Sequence, residues 1–432
     1  KETLGKATNI VFIVDTWLSL GGAAQQKGDL NTAIAHSLKA LQLAGVLKNT
    51  NKQRVASLTL ASLYQQTGQA DSAEVYFARS LPGPEAQEND LTELVSAPGK
   101  YVLFRLMRAR QSGNLQQIKA AWKDWTAFDR KVSDQRLSLS EGVSRSSFSK
   151  ILRPVYESAI EEVLPMKRPD AEMDWAATAF ALSEKMRALN LFEAIKEADA
   201  RTFSGLPDSL LARERDLRLD LNWTENQLYQ KDITPGTPPD TEAQRLMARI
   251  DILNETIAKL QKTFETDYPD YYRLKYDLRV EDVAAVQRDL LYPDMALVEY
   301  FVGNSAVYIF TIRKQDYSVL EVKKDFPLEQ WVSQLREGMT AFQTGQGMEA
   351  KYDSLSALYT DAASNIYKKL VAPIAAKLPA KVIFIPDGVL GYVPFEALLV
   401  EKPDNPTRWS QHHYLLNDHS VSYCYSATML RE

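Results

Sequence analysis

The feature of this 432-residue sequence that most constrains its fold is a glycine-centred turn that occurs three times early in the chain. The glycines lie 40 and 45 residues apart, a period typical of a repeated supersecondary unit. Glycine adopts positive φ without strain, so each turn lets one helix end and the next run back beside it. The three turns are Lys27-Gly28-Asp29-Leu30, Thr67-Gly68-Gln69-Ala70 and Ser112-Gly113-Asn114-Leu115.

Each turn separates two segments that have the period of an amphipathic helix. We therefore predict three antiparallel helical hairpins, whose small residues let the helices approach closely. The predicted helices before the glycines are Thr16–Gln26, Val55–Gln66 and Lys100–Gln111, and those after them are Asn31–Ala44, Asp71–Ser80 and Gln116–Phe128.

These hairpins resemble tetratricopeptide (TPR) repeats. Ala33-Ile34 and Tyr76-Phe77-Ala78 lie near the positions where that family places a small residue and an aromatic one. The family repeat is about 34 residues long, so Val46–Arg54 and Leu81–Gly99 are expected to be inserted loops. The resemblance implies a curved surface that binds a protein or peptide partner.

Helical periodicity continues beyond the repeats. Three prolines and a glycine between Ile233 and Asp240 predict a loop, and the helices on either side of it are predicted to form an antiparallel hairpin. We expect residues 1–200 to hold the repeats and residues 201–280 to form a helical hairpin connector. The predicted helices are Phe148–Leu164, Asp170–Ala198, Pro207–Lys231 and Glu242–Phe264.

Near Val280 the pattern changes to apolar runs separated by short polar turns, which predicts an antiparallel β-meander. After two more helices, Lys381–Pro386 is a continuous apolar run typical of a buried parallel strand. We expect residues 281–432 to form an α/β domain and the whole chain to be α+β. The predicted strands of the meander are Ala296–Val302, Ala306–Thr311 and Tyr317–Val322, and the two helices are Leu328–Phe342 and Tyr352–Leu370.

The most informative segment is Leu378–Leu398. A buried strand is predicted to end at Pro386, Asp387-Gly388 turns the chain, and Pro394 begins a short helix that carries Phe395 inward. A strand, a turn and a helix in this order place the backbone beside the carboxyl ends of a parallel sheet, where open α/β folds bind ligands.

This segment resembles the CHAT domain, a caspase-like fold commonly fused to TPR repeats. The resemblance covers about 150 residues at the C-terminus and implies an incomplete caspase-like α/β domain. Other matching pieces are Tyr268-Pro269-Asp270-Tyr271, the strand Ala296–Phe301 with Glu299-Tyr300, the helix Ile366–Leu378 with Ala372-Pro373, and Tyr414–Leu430 with Ser422-Tyr423 and Ser426–Leu430.

The resemblance implies a cysteine peptidase. Caspase-like peptidases place a His at the end of one strand and a Cys at the end of the next; the imidazole promotes thiolate formation, and backbone N–H groups stabilise the oxyanion. In the family both residues come after the segment that Ser422–Leu430 matches, whereas this sequence stops at Glu432. We therefore assign neither catalytic residue to any position here, and we expect this part alone to be inactive.

The histidines and the single cysteine do not predict a site of their own. His419 and Cys424 are five positions apart, which on a strand points their side chains to opposite faces. Cys424 is therefore predicted to pack as a small apolar residue. His412, His413 and His419 fit no standard zinc spacing and are expected in a solvated loop. We expect no metal and no cofactor.

Four further features have a structural and a functional interpretation. Gly345-x-Gly347-x-x-Ala350 matches a dinucleotide motif superficially, but no strand precedes it, which favours a loop. Trp122 and Trp125 are predicted to pack in the inter-repeat core rather than hold a ligand. Asp387 is predicted to be a turn or cap residue, with substrate binding as the alternative. A tyrosine cluster is expected to pack between the helical and α/β regions in preference to binding a peptide; it consists of Tyr268, Tyr271, Tyr272 and Tyr276.

The net charge and the cysteine content limit the classes of partner and the cellular compartment that we expect. Lys and Arg total 51 and Asp and Glu total 56, which gives a formal charge of −5 and no electrostatic footprint for nucleic acid or an anionic membrane. The early apolar run Ile10–Val14 is too short to span a membrane. One cysteine excludes an intrachain disulfide, so we expect a cytoplasmic protein.

Two functions are consistent with the sequence. The first is the N-terminal portion of a CHAT-family cysteine peptidase whose TPR repeats bind a protein partner and regulate proteolysis. The alternative is a non-catalytic TPR scaffold for protein–protein interaction. The substrate, the identity of the partner and the oligomeric state remain open at this point.

Overall fold

The computed structural model describes residues 2–82, 91–138, 143–166, 174–187, 207–229, 240–269, 271–272, 280–341 and 352–431. Contacts divide the chain into two units. Unit 1 holds residues 1–167 and 197–277, and unit 2 holds residues 168–196 and 278–432. The predicted three-domain division at 200 and 280 stays a prediction, although residues 168–196 have their contacts in unit 2.

The secondary structure of the described residues confirms an α+β chain. The strands are β1 (Met295–Val302), β2 (Ala306–Arg313), β3 (Tyr317–Lys323), β4 (Lys381–Ile385) and β5 (Ser420–Tyr423). The α-helices are α1 (Glu2–Gln26), α2 (Leu30–Val46), α3 (Thr50–Gln66), α4 (Ala70–Ser80), α5 (Leu91–Ser112), α6 (Leu115–Ser138), α7 (Val143–Val163), α8 (Trp175–Arg187), α9 (Asp208–Tyr229), α10 (Thr241–Asp267), α11 (Val283–Ala285), α12 (Leu328–Thr340), α13 (Tyr352–Leu370), α14 (Leu415–Asp418) and α15 (Ala427–Arg431).

The three glycine turns of unit 1 have the predicted geometry. Gly28, Gly68 and Gly113 have φ angles of 80°, 74° and 61°, and each separates two helices of a hairpin. After the first turn, the side chain of Asp29 accepts a hydrogen bond from the Thr32 amide at 3.1 Å and caps α2. The repeated sequence pattern therefore corresponds to a repeated backbone conformation.

We expect Gly68→Ala to lower the free energy of unfolding of unit 1 by ~1–2 kcal/mol, because an L-residue is strained at positive φ. Gly22→Ala is the matched control: Gly22 lies within helix α1, and a Cβ at either position would meet nothing within 4 Å. The control variant should be unchanged or more stable by up to ~1 kcal/mol. Urea denaturation measures both, and equal effects would contradict the assigned turn geometry.

The expected insertions between hairpins are shorter than predicted. Helix α3 begins at Thr50, so most of Val46–Arg54 is helical, because the side chain of Asn49 caps α3 by accepting from the Lys52 amide at 2.9 Å. Residues 91–99 of the second predicted loop belong to α5, which contains Pro98. Residues 83–90 lie outside the described residues.

Aromatic residues pack the cores of unit 1. Trp125 is buried in α6, and its ring lies edge-on to that of Tyr156 in α7, with centroids 5.5 Å apart; Trp122 is half-buried. In the hairpin of α9 and α10, Tyr271 is buried against Phe264 and donates to the Glu214 carboxylate at 2.7 Å.

The tyrosine cluster was predicted to pack between the helical and α/β regions. Tyr271 is buried in the helical hairpin of α9 and α10, and Tyr268 and Tyr272 are partly buried against the same cluster. Packing of these tyrosines against the α/β region stays a prediction. Tyr276 lies outside the described residues, as do the predicted loop at residues 233–239 and the Gly345–Ala350 motif.

Unit 2 is built on a five-stranded sheet of order β3-β2-β1-β4-β5. The first three strands form the predicted antiparallel meander, and β4 is parallel to β1 as expected for a continuous apolar run. Strand β5 is parallel to β4, with Lys381 opposite Ser420. The carboxyl ends of β1, β4 and β5 therefore lie at the same edge of the sheet, which we call the carboxyl edge.

Helices cover both faces of the sheet. On one face, Val298 and Tyr300 of β1 belong to a core that includes Leu335 of α12 and Ile366 of α13. On the opposite face, Phe180 of α8 packs edge-on against Phe310 of β2, with ring centroids 5.8 Å apart. Of the predicted helix Asp170–Ala198, the described part is α8.

The chain after β4 follows the predicted order of turn and short helix. Gly388 has a φ of 55° and begins a 3-10 helix, Gly388–Tyr392, while Phe395 begins a second one, Phe395–Ala397, and is fully buried. One boundary differs: the predicted helix Ile366–Leu378 is interrupted at Val371, after which Pro373 lies in the first turn of a 3-10 helix.

Candidate functional site

The carboxyl edge of the parallel strands brings together three chain segments that follow or end β1, β4 and β5. The Asp387 carboxylate, just after β4, accepts a hydrogen bond from the amide of Val302 at 2.9 Å and so ties the ends of β4 and β1 together. Asp387 is buried. Asp387 immediately precedes the 3-10 helix Gly388–Tyr392, but its side chain makes no capping hydrogen bond to that helix, so its carboxylate joins two strand ends instead of making the predicted cap interaction.

Arg187, at the end of α8, connects all three parallel strands at this edge. Its Nη1 donates to the carbonyl oxygens of Pro386 at 2.9 Å and Tyr425 at 3.3 Å, and its Nη2 donates to the carbonyl oxygen of Tyr300. Its Nε donates to Glu299 Oε1 at 3.3 Å. The guanidinium is only 4% exposed, so these acceptors replace water as its partners.

Glu184, one turn before Arg187 on α8, holds the chain that follows β5. Its Oε1 accepts from the amide of Ala427 at 2.9 Å, and its Oε2 accepts from the amide of Thr428 at 2.8 Å and from the Thr428 hydroxyl at 2.6 Å. Ala427 begins α15, so a side chain from α8 satisfies the amides at the start of that helix. Glu184 is fully buried.

Glu299 is the third buried charged residue of this network. Its Oε1 accepts from Ser183 at 2.5 Å and from Arg187, whereas its Oε2 is buried with no hydrogen-bond partner among the described residues. Burial raises the pKa of Glu299 well above its ordinary value, and the neighbouring Glu184 carboxylate raises it further, while Arg187 acts in the opposite direction.

These contacts bear on the protonation state of the network. One guanidinium faces two carboxyl groups, and Glu184 accepts three hydrogen bonds, as a carboxylate does. The Oε2 atom of Glu299 accepts no hydrogen bond from the described residues. Burying a charged carboxylate oxygen without a hydrogen bond is unfavourable. The raised pKa of Glu299 favours its protonated form in the folded chain.

The protonation of Glu299 predicts how stability depends on pH. Between its ordinary and its raised pKa, the folded chain holds a proton that the unfolded chain releases, so the free energy of unfolding falls as pH rises. The slope from this group is at most ~1.4 kcal/mol per pH unit. Urea denaturation from about pH 5 to about pH 8 should show this loss in the wild type, and Glu299→Gln should remove it; parallel profiles would contradict a protonated Glu299.

The predicted local candidates do not come together. His419 precedes β5, and its Nδ1 lies 2.7 Å from the carbonyl oxygen of Pro379, whereas Cys424 follows β5 at the carboxyl edge, half-buried, with its Sγ donating to the Ser426 carbonyl at 3.1 Å. Four strand residues separate the two side chains along the chain. The pair that the sequence analysis rejected as a dyad therefore lies at opposite ends of one strand.

The histidines differ in one respect from the predicted solvated loop. His413 is half-buried and pairs with Asp418, its Nε2 lying 2.8 Å from the carboxylate. His412 is buried instead, because its ring packs between Trp409 and Tyr414, with centroids 5.5 and 5.9 Å away. Within the described ranges, no group of three or more His, Cys, Asp or Glu side chains is placed to hold a metal ion.

Glu184, Arg187 and the role of Glu299 were not predicted from the sequence. The available signal was Glu299 itself, which interrupts an otherwise apolar strand and so requires a buried partner. Helical periodicity identified α8 but gave no indication that charged residues beside its apolar stripe are buried.

Comparisons with known proteins identify two segments. A tetratricopeptide repeat model matches residues 12–86, which cover most of the first two hairpins, and a CHAT domain model matches residues 360–432, which include β4, Asp387 and β5. No curated protein matches the chain. In the part of the chain that the structure describes, no helix has the length and apolar character needed to cross a membrane. The chain thus combines an N-terminal tetratricopeptide repeat region with a CHAT domain at its C-terminal end.

Proposed function

We propose that this chain supplies the partner-binding and sheet-forming parts of a CHAT-type cysteine peptidase. The repeats bind a protein or peptide partner and regulate proteolysis, and the catalytic His and Cys are encoded downstream of β5. The proposal includes a cytoplasmic location, which the single cysteine favours.

The parallel arrangement of β1, β4 and β5 is the observation that carries this proposal. Within the described sheet β5 pairs only with β4, and three of its four side chains are exposed. A further parallel strand beside β5 would end at the carboxyl edge. Catalytic residues at the ends of such strands would therefore lie beside Pro386 and Tyr425, where backbone groups are already held in place.

The alternative function is a non-catalytic interaction scaffold. The separation of His419 from Cys424 favours it, since the two side chains lie at opposite ends of β5 and each contacts a backbone carbonyl oxygen instead of the other. The two functions share the repeats and differ in whether the reading frame carries a His and a Cys at the ends of later strands.

The experiment reads the natural reading frame past Glu432 and then tests the protein that it encodes. The peptidase predicts a His after one apolar strand and a Cys after the next. Replacing that Cys with Ala should abolish cleavage and leave partner binding by the repeats intact. Absence of both residues would favour the scaffold, and equal loss of cleavage and binding in a folded Cys→Ala variant would contradict separate binding and catalytic units.

A further inference from the structure

Strand β3 forms one end of the described sheet, and β5 forms the other. Within that sheet β3 pairs only with β2, so one side of its backbone faces away from the other strands. An edge strand presents N–H and C=O groups that can pair with a further strand. The residues that present these groups on β3 decide which strand can be added.

Two hydrogen bonds beside the ladder fix the direction of the β3 backbone groups. The Arg313 amide donates to the Asp316 carbonyl at 2.8 Å before β3, and the Lys324 amide donates to the Ser305 carbonyl at 2.9 Å after it. Bonded and non-bonded pairs alternate in an antiparallel ladder, and both bonds give the same alternation. Residues at even positions of β3 therefore bond to β2, and those at odd positions direct their N–H and C=O groups outward.

Glu321 and Lys323 are two of these outward residues, and they carry opposite charges. Both are exposed, and neither has an ion-pair partner among the described residues. Charges on an edge strand commonly prevent association, because like charges on two copies repel each other. Here the order Glu321, Val322, Lys323 is self-complementary, because an antiparallel second copy presents the same three residues in the opposite order.

Only one antiparallel register brings these opposite charges together. The outward backbone groups require odd positions to face odd positions across the contact. With the two-fold axis at Leu320, Glu321 faces Val319, and with the axis at Glu321, two glutamates face each other. With the axis at Val322, Glu321 of each copy faces Lys323 of the other, and each pair also exchanges both of its backbone hydrogen bonds.

We propose that β3 is a dimerisation edge, at which two copies of this chain pair antiparallel with the two-fold axis at Val322. The two sheets then continue into one. The contact lies at the end of the sheet opposite β5 and does not involve the carboxyl edge, so the proposal is independent of any peptidase activity. One short strand from each copy is a smaller contact than the roughly 1,200–2,000 Å² of stable interfaces, so the dimer is reversible, with a Kd of roughly 10–200 µM.

Sedimentation equilibrium of the full chain from about 1 to about 500 µM tests the dimer. The wild type should show a monomer–dimer equilibrium. Glu321→Lys and Lys323→Glu each place like charges in both cross-strand pairs, and each should raise the Kd roughly tenfold or more. Glu401→Lys makes the same charge change as the first variant at an exposed loop position of unit 2, and should alter the Kd by no more than about threefold.

Mixing the two variants provides the rescue. A copy with Glu321→Lys has lysine at both positions and a copy with Lys323→Glu has glutamate at both, so the mixed dimer regains two attractive pairs. An equimolar mixture should dimerise with a Kd within about threefold of the wild-type value, which also shows that both variants are folded. A wild type that stays monomeric up to about 500 µM, or dimerisation that neither single variant weakens, would overturn the proposal.

Hydrogen exchange of the wild type locates the contact without a variant. Above the Kd, the outward amides of Glu321 and Lys323 should exchange roughly two- to fivefold more slowly than in dilute protein, because pairing protects them. The amides of Leu320 and Val322 already bond to β2 and should show no such change. A dimer in which the amides of Glu321 and Lys323 gain no protection would lie elsewhere on the chain and would contradict pairing through β3.

Discussion

Arg187→Met should lower the free energy of unfolding of unit 2 by ~3–5 kcal/mol, the loss expected when one partner of a buried charged network is removed. Methionine has a similar length but no donor, so the carbonyl oxygens of Tyr300, Pro386 and Tyr425 lose the partner that Arg187 provides. Glu299 would keep only the Ser183 hydroxyl as a donor.

The matched control for this variant is Lys368→Met, which also replaces a cation with methionine in unit 2 but at an exposed position of α13. Urea denaturation should show a loss of less than about 1 kcal/mol for the control, as for most exposed positions. Arg187→Lys should fall between wild type and Arg187→Met, since an ammonium keeps the charge but cannot present the planar fork of donors. Equal losses for Arg187→Met and Lys368→Met would show that the network does not stabilise unit 2.

Phe395→Ala should also destabilise unit 2 by ~3–5 kcal/mol, because it removes a fully buried aromatic side chain from the core. The ring of Phe395 lies between those of Phe384, Tyr300 and Tyr423, with centroids 4.4, 5.2 and 6.4 Å away. The substitution leaves a cavity that the surrounding strands cannot close. The measurement is urea denaturation of unit 2.

Tyr392→Ala provides the comparison for Phe395→Ala. Tyr392 ends the preceding 3-10 helix and is 61% exposed, with the Arg336 guanidinium 4.7 Å from its ring centroid. Its loss should cost about 0.5–1 kcal/mol, the value of an exposed cation–π contact. A comparable loss for both variants would contradict the assignment of Phe395 to the interior of the segment that follows β4.

The features that local sequence determines could be predicted. A turn that needs positive φ restricts the residue to glycine in most proteins, so Gly28, Gly68 and Gly113 located the hairpins. Apolar runs bounded by turn residues located β1 to β4 within one or two residues. Predicted helix boundaries were wrong where a single capping side chain sets them. At Asn49, the capping side chain allows α3 to begin earlier than the repeat length predicted.

The features that depend on long-range contacts could not be predicted from the sequence. Glu299 indicates that a buried partner is present, but nothing in the sequence identifies Arg187 as that partner among the 51 Lys and Arg residues of the chain. The two residues are 112 positions apart, and only the packing of α8 on the sheet brings them together. For the same reason the burial of Glu184 was not predictable, because its partners are backbone amides of α15.

The titration of cysteine reactivity in protein from the full reading frame tests the central claim most directly. A catalytic Cys paired with a His at the carboxyl edge should be alkylated by iodoacetamide with a midpoint below about pH 7.5, and replacing that His with Ala should raise the midpoint. A downstream Cys that shows the ordinary thiol midpoint of about 8.5, or none at all, would contradict the peptidase.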